Sequence, residues 1–166
     1  YVRLARETIE AYILTRRHKT LPEDLPEELT NTKAGVFVSL HKMGQLRGCI
    51  GTILPTRPSV AEEIMANAIS ASTSDPRLSP VEPGELSQLE ISVDVLSPPE
   101  KISSTEELDV KRYGVIVSRK GKRGLLLPNL EGVDTVAEQV AIARQKAGIG
   151  PSEEVSLERF EVIRHF

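Results

Sequence analysis

The stretch Gly35–Gly51, GVFVSLHKMGQLRGCIG, decides how this chain is read. Two apolar runs flank a short turn, and Gly44 suits a left-handed turn position, so the segment predicts a single β-hairpin. A three-residue loop, Lys42-Met43-Gly44, pairs His41 with Gln45, Leu40 with Leu46, Val38 with Gly48 and Val36 with Ile50. A two-residue loop mixes apolar and polar residues on both faces, which favours the first register. One face then carries Val36, Val38, Leu40, Leu46 and Ile50 and needs a core. The other carries Phe37, Ser39, His41, Gln45, Arg47 and Cys49. That polar face sets an arginine beside the only cysteine, and it is either covered by other parts of the fold or lines a cleft.

Upstream, Val2, Ala5, Ile9, Tyr12 and Ile13 repeat near the 3.6-residue period and predict a helix over 2–17. Residues 20–34, with Pro22, Pro26 and several carboxylates, read as a long surface connection. Downstream, Ser59 and Glu62 form a capping box that opens a helix over 60–71, which ends before Asp75-Pro76. Leu89, Ile91, Val93 and Val95 alternate with Glu90, Ser92 and Asp94, the pattern of a strand with one polar face. Residues 104–109 predict a short helix. Tyr113–Ser118 and Gly124–Leu127 form a second hairpin turning through Lys120-Gly121-Lys122. Thr135 and Glu138 cap a helix to Ala147, stopped by Gly148, and Leu157–Phe166 reads as one final strand. Hairpins mixed with separated helices predict an α+β fold with a largely antiparallel sheet.

The 166 residues suffice for a single domain that buries roughly 70% of its unfolded surface. A net charge of −3 and an aromatic content of 4% argue against a general nucleic-acid binder and against base-stacking platforms. One cysteine excludes an internal disulfide and suits a reducing, cytoplasmic setting. No apolar run has the length of a membrane span, and no signal peptide is visible. The first residue is Tyr1, not methionine, which fits a domain excised from a longer polypeptide; a trimmed N-terminus is the plainer reading.

Cys49 is the candidate nucleophile, with Arg47 two residues away to favour its thiolate. The predicted register puts His41 about 13 Å from Cys49, which excludes a Cys–His dyad within the hairpin. A small buried cysteine between two glycines is the commoner use of such a residue. Arg47 is either a bidentate anchor for a carboxylate or phosphate, or the partner of an internal acid such as Asp75. Asp75-Pro76-Arg77 is either a simple helix exit or a rigid acid–base rim of a site. Glu90 and Asp94 share a strand face and suit acid–base work if buried; a solvated sheet face is the commoner explanation. Arg119, Lys120, Lys122 and Arg123 mark a charged hairpin tip, with RNA contact as a minor alternative. Three scattered histidines and one cysteine give no metal-ligand spacing. No cofactor fingerprint is present.

LRGCIGT (Leu46–Thr52), DPRLSPV (Asp75–Val81), ELSQLEISVDVLSPPEKI (Glu85–Ile102), YGVIVSRKGKRGLLLPNLEGVD (Tyr113–Asp134) and KAGI (Lys146–Ile149) together resemble the AMMECR-one domain family, also called AmmeMemoRadiSam system protein A. The resemblance runs from about Leu4 to Phe166, with Leu78 departing from the family's more frequent phenylalanine. It implies an α+β fold with an antiparallel sheet and larger and smaller parts with a cleft between them, near which LRGCIG and DPR lie. It also implies company with a Memo-type protein, similar to class III extradiol dioxygenases, and with a radical S-adenosylmethionine protein. It brings no established reaction, and any dioxygenase activity would reside in a fused or partner domain. The expectations are therefore a domain of unestablished activity that binds a small anionic ligand or assists an enzyme through Arg47, Cys49, Asp75 and Arg77. The alternatives are a non-catalytic module docking those partners and, third, an RNA-contacting domain.

Overall fold

Leu4, Ala5, Ile9 and Ile13 fall on one side of a 3.6-residue period and form the buried face of α1, Val2–Thr15. Arg16 ends the helix in the left-handed conformation, with its N–H on the Tyr12 carbonyl. The following connection contains one short turn of helix, α2 (Glu27–Thr30), which buries Leu29. Ser59 caps α3 (Val60–Thr73) by accepting from the Glu62 N–H, as its capping box predicts. α1 and α3 pack together over one face of a four-stranded sheet, and Val36, Val38, Leu40, Ile91 and Val93 fill the space between.

The computed structural model describes residues 1–166 as two compact units. The larger takes Tyr1–Leu96 and Ile163–Phe166, the smaller Ser97–Val162. In the larger, β1 (Val36–Lys42), β2 (Gln45–Gly51), β3 (Leu89–Leu96) and β8 (Val162–His165) lie in the order β2-β1-β3-β8. β1 runs antiparallel to β2 and β3. In the smaller, β4 (Glu100–Ile102), β5 (Gly114–Arg119), β6 (Lys122–Leu126) and β7 (Ser156–Phe160) lie in the order β4-β7-β5-β6. α4 (Val136–Ala147) packs on β5 and β6 and ends at Gly148, as predicted. The protein is thus α+β with antiparallel pairing, arranged as two sheets.

Three local expectations are corrected. Both hairpins turn through two residues. Met43-Gly44 and Lys120-Gly121 each have two successive positive φ values, and the strands close on Lys42–Gln45 and Arg119–Lys122. Such turns match the twist of paired strands better than the longer loops expected. The final segment is two strands in different sheets, broken at Glu161. There the chain makes a clasp: Ser97 donates its N–H to the Glu161 carbonyl at 2.8 Å, and the Glu161 N–H donates to Ser97 Oγ at 2.7 Å. The predicted helix over 104–109 is a single 3-10 turn, Thr105–Glu107.

Candidate functional site

The face of the larger sheet opposite the helices is built by strand alternation. Val36, Val38 and Leu40 point into the core, so Phe37, Ser39 and His41 point away. The register then sets cross-strand rows on that outer face: Cys49–Ser39–Ser92 and Gly51–Phe37–Asp94. Cys49 Sγ lies 3.2 Å from Ser39 Oγ, and the thiol is half-buried. Asp94 is 1% exposed and receives both arms of Arg164 from β8, at 2.7 and 3.0 Å. The Asp94 hydrogen bonds raise the Arg164 pKa, burial opposes them, and the Cys49 charge adds a lesser favourable contribution. Glu90 stands opposite His41 on the same face, but exposed.

Asp75 closes the open edge of β2. Its carboxylate accepts the Cys49 backbone N–H at 3.0 Å, and Arg77 Nη2 donates to the Cys49 carbonyl at 3.4 Å. Arg77 also donates its own N–H and its Nε to Asp75 Oδ1, each at 3.0 Å, and Nη2 to Oδ2 at 2.8 Å. The Arg77 guanidinium, above all, holds the Asp75 carboxyl well below the usual carboxylate range. The acid–base loop thus imitates a neighbouring strand, satisfying backbone groups that an edge leaves open. Asp75, Arg77 and the Cys49 backbone are thus in direct contact.

Arg47 is not with them on that face. The expected hairpin register is interrupted by a bulge: Leu46 sits opposite His41 and Gly48 opposite Leu40, leaving Arg47 as the extra residue. The two-residue turn and this bulge together restore Cys49 to the outer face but swing Arg47 to the rim of the helix-covered side and leave Leu46 half out of the core. There Arg47 binds Glu85 through Nε and Nη2, at 2.9 and 3.0 Å, and donates to the carbonyls of Ser79 and Pro80 at 2.8 and 3.1 Å. Lys42 joins the same carboxylate at 3.0 Å. Sequence reading offered Asp75 as an internal partner of Arg47; the acid it finds is Glu85, within the 3-10 turn Pro83–Gln88.

The Glu85 carboxyl is pulled down to about 2, chiefly by its hydrogen bonds from Arg47. Its folded value lies below the ordinary 4.5, so its stabilisation is complete above pH 4.5 and disappears as pH falls towards 2. Acid titration of thermal stability should show this loss, and Glu85→Gln should remove that part of the acid slope. An unchanged slope in the variant would place the acid sensitivity elsewhere.

Glu63 was not singled out from sequence. It is 1% exposed on α3 and accepts from Thr52 Oγ1, Thr56 N, Thr56 Oγ1 and Arg57 N, at 2.7–2.9 Å. Burial raises its pKa and these hydrogen bonds lower it further than burial raises it. Its work is to hold the loop that leaves β2. The basic hairpin tip is largely engaged within the smaller unit: Arg119 with Glu153 and the Glu154 carbonyl, Arg123 with Glu158, Lys122 with the Gly148 carbonyl. No three His, Cys, Asp or Glu side chains are grouped so as to hold a metal ion. No helix is long and apolar enough to cross a membrane.

Comparison with known proteins gives consistent results. A family model described as AMMECR1 matches residues 2–165. A protein of Thermotoga maritima is 52% identical over 167 residues, covering 99% of this chain and 96% of that protein. A protein of Clostridium acetobutylicum is 52% identical over 166 residues, which is 99% of this chain and 35% of that protein. The crystal structure of an uncharacterized protein from Pyrococcus horikoshii matches with a TM-score of 0.90 at 36% identity, covering 98% of this chain and 87% of that one.

Proposed function

The chain belongs to the AMMECR1 family, and we propose that it is a ligand-binding or enzyme-assisting domain whose working surface is the outer face of the larger sheet. Cys49 is its reactive group. Arg77 and Arg164 hold a small anion beside it, guanidinium groups being suited to carboxylate and phosphate. Asp75 positions Arg77 and the Cys49 backbone, while Arg47 acts from behind by fixing the bulge that aims Cys49 outward. The observation that supports this is the placing of a half-buried thiol on a sheet face where the buried Asp94, one row away, holds the exposed Arg164.

The test is the alkylation rate of Cys49 in the folded protein with iodoacetate and with iodoacetamide. A cationic setting should raise the ratio of the charged to the neutral reagent. Arg164→Gln should lower that ratio about threefold or more, by the loss of one nearby charge. Equal ratios in both proteins, or a thiol inert to both reagents, end the reading.

The partners implied by the sequence resemblance, a Memo-type protein similar to extradiol dioxygenases and a radical S-adenosylmethionine protein, belong to the same proposal. Support comes from the Clostridium relative, in which the matched stretch is a minor part of a longer chain. A second reading, a non-catalytic module that docks those partners, draws on an apolar groove of about 710 Å³ along α4, lined by Val136, Val140 and Ile149. Loss of activity in Arg77→Ala with partner binding intact separates the first reading from the second.

A further inference from the structure

α3 has a second stripe besides the one it buries against the sheet. Glu62, Met65, Ala66, Ile69 and Ser70 recur at helical spacing and are half-buried, not exposed. They form one wall of a groove of about 500 Å³, closed on the other side by α1 and by the chain that follows it. The eight helical rises from Glu62 to Ser70 make the groove about 12 Å long. Its volume lies in the range of small-molecule sites. Met65, Ile69 and Leu21 give it an apolar lining, and methionine adapts readily to differently shaped apolar guests.

Its charged groups are two cations and one acid, with a histidine beside them. His18, Lys19 and Arg57 line the groove against one acid, Glu62, in a protein whose net charge is −3. Lys19 is tied to Glu7 at 2.9 Å, and the His18 ring leans on Tyr12 with centroids 5.2 Å apart. Arg57 differs from both. Glu63 holds its backbone N–H at 2.9 Å, which fixes the residue at the groove, yet its guanidinium makes no hydrogen bond or ion pair. An exposed, unpaired guanidinium on an anchored backbone, beside an apolar trough, is complementary to an anionic head on an apolar tail.

We propose that the α1–α3 groove of the larger unit binds a small amphipathic anion, its acidic head on Arg57 with His18 and Lys19 nearby, and its hydrocarbon tail along Met65 and Ile69. This site is separate from the Cys49 face, since α3 lies on the other side of the sheet.

Calorimetric titration of the full chain with octanoate tests it, with butyrate and 1-octanol as probes lacking the tail and the charge. Octanoate should bind with a Kd below about 1 mM, and both controls about tenfold or more weakly. Arg57→Gln should weaken octanoate about tenfold with an unchanged Tm, as expected for a charged hydrogen bond lost at an exposed end. Ile69→Trp, which fills the trough, should abolish binding. Where that variant does not fold, shifts of the Met65 and Ile69 methyl resonances on octanoate addition locate the site instead. Absence of octanoate binding, equal binding of either control, or methyl groups that do not shift would overturn the proposal.

Discussion

Gly48→Ala should cost about 3 kcal/mol or more, at the upper end of what overpacking does, and lower Tm by roughly 6–12 °C. The reason is the route of α3 over β2. A Cβ on Gly48 falls 2.2 Å from the Ala71 carbonyl oxygen, with the carbonyl carbon at 3.2 Å. These are backbone atoms of a helix that is itself fixed, because α3 carries the buried face of the core, so no side-chain rotation relieves the clash. Gly84→Ala is the matched control: nothing lies within 4 Å of its added Cβ, and its Tm should stay within about 1–2 °C of the parent, as for substitutions without such contacts. Thermal unfolding of the two variants side by side makes the comparison. Similar melting temperatures would mean that α3 does not approach β2 this closely.

Asp75→Asn should cost about 3 kcal/mol, the usual result of breaking a buried charged partner. The carboxylate is 2% exposed and accepts four hydrogen bonds, one from the Cys49 N–H and three from Arg77. An amide offers one oxygen and turns a donor towards a guanidinium. Arg77→Ala should cost a similar amount, because it leaves the buried Asp75 carboxylate without its counter-charge, held only by the backbone N–H groups of residues 49 and 77. The acid limb has a definite sign. Asp75 has a folded pKa far below its ordinary 3.8, so its stabilisation is present above that value and fades on further acidification. Chemical denaturation at pH 7 and at pH 3 should therefore show the Asp75→Asn penalty shrinking in acid. A penalty independent of pH would mean that the carboxylate charge plays no part.

Much of this architecture could be read from residue spacing because it is local. Helices capped by Ser59 and Thr135 start where those residues put them. The polar face of the Leu89–Leu96 strand follows from alternation alone. The hairpin register was read less well, since two separate features, a tight turn and a bulge, shift the pairing by one position each and in the same sense. Parity was thereby kept at Cys49 and Ile50 and lost at Leu46 and Arg47. A bulge has no sequence signature short of knowing what its extra residue touches. For Arg47 that is Glu85, 38 residues on. Similarly, Asp94 looked like half of a carboxylate pair with Glu90. Its partner is Arg164, 70 residues away, and such a tertiary pairing leaves no periodic trace. Cys49 and the Asp75–Arg77 loop met because the family resemblance, more than spacing, put them together.

The clasp between Ser97 and Glu161 marks where the chain leaves the larger unit and where it comes back. The smaller unit is thus an insertion, and the strand that completes the larger sheet is translated after it. Until a ribosome has released Arg164, β1, β2 and β3 can associate only as a three-stranded sheet in which Asp94 has no counter-charge. Native assembly of the first-made unit is thereby postponed until the inserted one has been made, with the inserted one free to fold beforehand.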